Sequence, residues 1–88
     1  MTGDPLEALR RRFVERAKTE ADSLERALLQ GDRSEMERVV HGFAGAAGVF
    51  GYQALSEQAA VLDGQFARRD PPDEDRLRDL VSAIRAVG

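Results

Sequence analysis

His41 is the only histidine among 88 residues, and it lies in the run VVHGFAGAAGVFGYQAL, beside several glycines. An imidazole with an ordinary pKa of about 6.5 is largely neutral near pH 7, and its free ring nitrogen is then a nucleophile that needs no strong base. A solvent-facing ring is therefore a candidate for covalent chemistry. The glycines sharpen this reading. Gly42, Gly45 and Gly48 fall within or at the end of a helical stretch, where each costs about 1 kcal/mol relative to alanine. With Met36, Val40, Phe43 and Ala47 as the inward direction, His41 points roughly 130° away and Gly45 roughly 170° away, with Arg38 on the same outward side. Gly45 is one turn beyond His41, so its missing side chain leaves room for a partner to approach the ring. Close helix packing is the other use of such small residues, and the angle argues against it only at Gly45.

Helical periodicity covers nearly the whole chain and supplies the frame for this face. Asp4, Pro5 and Glu7 form a start signal, and Leu6, Leu9, Phe13, Ala17, Ala21, Leu24 and Leu28 fall on one side of a long helix that ends near Gly31. Asp32 with Glu35 opens a second helix, whose stripe is Met36, Val39, Val40, Phe43 and Ala47. Gly48 and Gly51 stop it. A third helix places Leu55, Ala59, Leu62 and Phe66 inward, and Asp63 falls on the flank of that stripe. Asp70, Pro71 and Pro72 break the chain before a fourth helix with Leu77, Leu80, Val81 and Ile84. The expected fold is all-α, an antiparallel four-helix bundle with a long first helix, the helices spanning about 5–30, 33–47, 52–69 and 73–87 of a single 1–88 domain. The overhang of the first helix reads either as a frayed end or as an oligomerisation surface. Phe43, Phe50 and Tyr52 are expected to pack in the core or at the bundle end.

Composition narrows the function classes. There is no cysteine, so no disulfide or thiolate metal site reinforces a core that is small at this length. One histidine and scattered carboxylates offer no metal-ligand cluster of recognisable spacing. The formal charge of −3 gives no general attraction to nucleic acid, although Arg10, Arg11 and Arg12 make a local basic spot. Apolar runs are far short of the ~20 residues a membrane span requires, and MTGDPLEALRRR carries charges where a secretory signal would be apolar, so a cytoplasmic location is expected.

His41, Gly45 and Gly51, with Phe43, Phe50 and Leu55 between and after them, resemble the signature of histidine-containing phosphotransfer (HPt) domains. That signature is HxxKG, a glycine six residues later, and then a leucine-rich helix. The resemblance runs over roughly residues 36–66. It implies a phosphorelay intermediate that takes a phosphoryl group from a receiver-domain aspartate onto His41 and passes it to another receiver, without independent enzymatic turnover. It also implies an attacking Nε2, with Nδ1 held by a neighbouring group. Asp63, 22 residues after the histidine, stands where similar domains carry an acid or amide, and its short side chain suggests a water bridge. A solvated surface acid is its alternative reading. The chain departs from the signature at Ala44, where the family lysine would stand, and Arg38 is the substitute cation for the phosphoryl group. Gly42, Ala44, Gly45 and Gly48 form the implied partner-binding face. No intrinsic cofactor is expected, with Mg²⁺ residing on the receiver partner. The implied partners are response-regulator receivers and a hybrid histidine kinase, with the chain itself a monomer. The Ala44 departure supports an alternative, an unphosphorylated adaptor or inhibitor that docks a receiver or kinase.

Overall fold

A computed structural model describes residues 4–88, and the first three residues of the expected 1–88 domain lie outside the described residues. Four helices run in chain order: α1 (Pro5–Gln30), α2 (Arg33–Ala46), α3 (Gln53–Ala67) and α4 (Glu74–Arg85). A 3-10 turn, Ala47–Phe50, follows α2 directly. The described residues contain no strand.

Local chemistry sets the boundaries. The Asp4 carboxylate accepts from the Leu6 N–H (3.0 Å) with Pro5 in the first helical position. Asp32 and Asp73 likewise accept from the N–H groups of Glu35 and Arg76, each at 3.2 Å. Each cap satisfies one of the amides that a helix start leaves without a partner. α1 ends at Gly31 in the left-handed region (φ 66°), which lets the Asp32 N–H reach back to the Ala27 carbonyl at 2.9 Å. Gly51 (φ 90°) closes the 3-10 turn in the same way, with the Tyr52 N–H donating to the Ala47 carbonyl at 3.0 Å. The expected second and third helices are thus shortened slightly at this junction, because α2 tightens after Ala46 and Tyr52 caps α3.

Consecutive helices pack side by side, and α4 returns against α1 to close the ring. Leu24, Val39, Val40, Leu62, Leu77, Leu80 and Ile84 fill the centre, and Ala17, Ala21 and Ala59 are fully buried beside them. Among the described residues no polar or charged residue is buried as a whole, so hydrophobic burial carries the core. Phe13 gathers Phe43, Phe50 and Tyr52 at one end, with ring centroids 5.6, 5.1 and 5.5 Å away. Arg85 binds Asp22 (2.9 Å) and Glu25 (3.0 Å) to tie α4 to α1.

The inward expectation for Leu6 and Leu9 is corrected. Both are exposed, at 41% and 49%. α1 has 26 residues against 14 in α2, so its first turns run past their neighbours, and a periodic stripe there has nothing to pack against.

Candidate functional site

α2 and α3 together present the site. Val39, Val40 and Phe43 bury the inner face of α2, while Leu55, Ala59, Leu62 and Phe66 bury that of α3. His41, next in sequence to Val40, is carried to the outer side, and its side chain is 80% exposed. Asp63 follows the fully buried Leu62 and is half-buried, aimed at the ring. Packing of the two apolar stripes therefore fixes the distance between the two polar groups.

His41 Nδ1 donates to both Asp63 oxygens, at 3.2 Å each. An ionised carboxylate offers only acceptors, so this contact selects the tautomer with hydrogen on Nδ1 and leaves a lone pair on Nε2. The expected water bridge is replaced by direct contact, because α2 and α3 lie close enough for the short aspartate to reach.

Arg38 shares a shallow hollow of about 380 Å³ with His41, Asp63 and Glu37. Its guanidinium is already engaged. Nε and Nη2 donate to the two oxygens of Glu35, each at 2.8 Å, while Nη1 and Nη2 donate to the two oxygens of Glu20 at 3.3 and 2.9 Å. Hydrogen bonds to Glu35, then to Glu20, hold the guanidinium further toward its charged form. The same contact with Arg38 depresses the Glu35 carboxyl below its ordinary value. Arg16 also reaches Glu20, at 3.3 Å. Arg38 thus stands beside the ring, as expected from its place on α2, but paired rather than free.

The small residues of this face divide. A Cβ at Gly42 or Gly45 would meet nothing within 4 Å, so both leave open space. At Gly48 it would lie 3.5 Å from the side chains of Gln53 and Ser56, so this residue in the 3-10 turn sits against α3. Ala44 is half-buried and packs on the core. Its carbonyl, one of the last four of α2, accepts from the Ser56 hydroxyl at 3.1 Å, which satisfies an acceptor the helix end leaves over. Ser56, Glu20 and Glu35 were not among the residues expected at the site. The Glu35–Arg38 spacing of three was a readable signal; the other two contacts arise only when helices meet.

The described residues contain no group of three or more His, Cys, Asp or Glu placed to hold a metal ion. No helix among them is long and apolar enough to cross a membrane.

A family model described as Hpt domain matches residues 8–87. Comparison with curated proteins and with solved structures gives no match. The matched span takes in α2, α3 and the His41–Asp63 pair together with nearly all the rest of the bundle, and the chain belongs to the Hpt domain family.

Proposed function

We propose that the protein is a phosphorelay intermediate whose phosphoacceptor is Nε2 of His41. The observation that carries this reading is the exposed ring with Nδ1 bound to Asp63. The Nε2 lone pair attacks phosphorus of a receiver's aspartyl phosphate; the Nε2–P bond forms as the acyl O–P bond breaks, and the receiver aspartate leaves as a carboxylate. The ring keeps its Nδ1 hydrogen and becomes cationic. Asp63 balances that charge, so no proton has to move during transfer. In the second step a carboxylate of another receiver attacks phosphorus, the N–P bond breaks and the neutral imidazole returns. Positioning and charge stabilisation suffice for such a transfer. The domain acts as a carrier without turnover of its own, with Mg²⁺ on the receiver, in the cytoplasm and as a monomer. Gly42 and Gly45 give the receiver's loops access to the ring.

The test is a phosphotransfer profile. The purified chain is incubated with phosphorylated receiver domains and assayed for acid-labile, base-stable phosphate. Labelling of the wild type and its loss in His41→Gln, with fold and receiver binding retained, is the expected result. Persistent labelling of His41→Gln would overturn the assignment.

Ala44 and the engaged Arg38 favour one second reading, an adaptor that docks a receiver or kinase without being phosphorylated. Intact binding with no transfer from any receiver would establish it.

A further inference from the structure

Arg38 is the only cation among the described residues that line the hollow around His41, where Asp63 and Glu37 contribute carboxylates. Glu37 is in turn paired with Arg33 at 3.3 Å. All three nitrogens of the Arg38 guanidinium are committed to Glu35 and Glu20. These partners come from different places: Glu35 lies one turn back on α2, and Glu20 reaches across from α1. The Glu20 side chain is only 14% exposed, so it is held in place by the bundle and cannot simply swing away. A phosphoryl group on Nε2 brings two negative charges next to Asp63. To contact it, Arg38 has to abandon bidentate bonds to two carboxylates, and charge-assisted bonds of that kind are the strong ones.

We propose that Glu20 and Glu35 form a clamp that withholds Arg38 from the phosphoryl group and thereby keeps the phosphohistidine short-lived. Glu20 is then a positioning residue that acts through Arg38. The clamp favours a carrier that passes its phosphoryl group on over one that stores it. The inference rests on His41 as the phosphorylated residue. The reaction whose rate it sets is hydrolysis: water attacks phosphorus, a P–O bond forms as the Nε2–P bond breaks, and dihydrogen phosphate leaves behind a neutral Nδ1–H imidazole. A guanidinium on the phosphoryl oxygens stabilises the charged starting state, while in the loose transition state bonding to phosphorus is weakened.

The test needs no receiver. Phosphoramidate transfers its phosphoryl group to the lone histidine of the 88-residue chain with release of ammonia. Excess reagent is removed, and loss of phosphohistidine is followed by ³¹P NMR. Glu20→Gln and, separately, Glu35→Gln are expected to lengthen the lifetime about fivefold, which is about 1 kcal/mol, and to lower the pH at which the phosphoryl resonance titrates. The double variant Glu20→Gln/Arg38→Ala is expected to return to the wild-type lifetime, which a merely structural role for Glu20 would not produce. The Glu35 side chain is 33% exposed against 14% for Glu20, so its variant tests the clamp even if loss of Glu20 loosens the bundle. Unchanged lifetimes in both single variants, or a double variant as long-lived as Glu20→Gln, would overturn the clamp. Failure of receivers to phosphorylate the wild type would instead overturn the relay reading and leave this measurement standing.

Discussion

His41 and Asp63 are 22 positions apart and meet across α2 and α3, with Nδ1 at 3.2 Å from each carboxylate oxygen. The symmetry of the contact matters. A carboxylate placed this way fixes the tautomer, orients the ring and supplies the charge that a phosphorylated, cationic imidazole requires. A neutral amide at the same position would supply only the first two.

Asp63 variants separate those contributions. Asp63→Asn keeps an acceptor for Nδ1 but removes the charge, whereas Asp63→Ala removes both. Groups that orient metal-ligating histidines by the same kind of ring N–H contact are commonly worth about 10–100-fold when lost. The initial rate of phosphoryl acceptance should therefore fall about tenfold or more in Asp63→Ala and by less in Asp63→Asn. Equal rates in wild type and Asp63→Ala would reduce Asp63 to a surface acid.

The helices were legible because their ends are written in local chemistry. Asp4 with Pro5 and Gly31 with Asp32 each act within one turn of sequence, and the structure places helix boundaries beside them; Asp70, Pro71 and Pro72 marked the break before α4, whose cap is Asp73. Leu6 and Leu9 were misread because periodicity reports a face without reporting whether a neighbour extends far enough to cover it. The outward turn of His41 followed from the inward direction set by Met36, Val40, Phe43 and Ala47. The pairing of Arg38 did not, since Glu20 belongs to another helix and meets it only through the α1–α2 contact. The 3-10 turn was hidden as well, because Gly48 and Gly51 mark a stop without saying that the chain between them tightens rather than leaves the helix.

Gly45 offers open space on the face that carries His41. Its φ is not positive, so a side chain fits the backbone, and replacing a helical glycine with alanine stabilises by about 0.5–1 kcal/mol. Gly45→Ala should raise the melting temperature by a few degrees and still bind receivers. Gly45→Arg should stay folded and lose receiver binding by calorimetry. Wild-type affinity in the arginine variant would remove Gly45 from the docking face.

Glu35 gives the clamp a pH signature. Its carboxyl is held below the ordinary value of 4.5, foremost by the hydrogen bond from Arg38. A group with a depressed folded-state pKa contributes stability that is complete above its unfolded value and is lost as pH falls through the folded one. The melting temperature of wild type should exceed that of Glu35→Gln by a small margin at pH 6–7, small because solvent reaches both members of the pair. The margin should shrink below about pH 4.5 and vanish once Glu35 is protonated. A margin that persists unchanged to pH 3 would show that the contact acts through packing alone.

Arg69 carries backbone strain that the fold tolerates at the end of α3. Its φ is 61°, and it is the only described residue other than glycine with a positive φ. The conformation lets the Asp70 N–H reach the Gln65 carbonyl at 3.0 Å, the same closure that Gly31 provides after α1. A side chain in the left-handed region costs about 1–2 kcal/mol, and glycine removes that strain while adding freedom to the unfolded chain. Arg69 is exposed and does not line the hollow around His41, so the exchange has little packing to lose. Arg69→Gly should stabilise by about 0.5–1 kcal/mol, raising the melting temperature by roughly 3–6 °C in a domain of this size. Phosphoryl acceptance should be unaffected. A lowered melting temperature would mean that the Arg69 side chain contributes more than its backbone conformation costs.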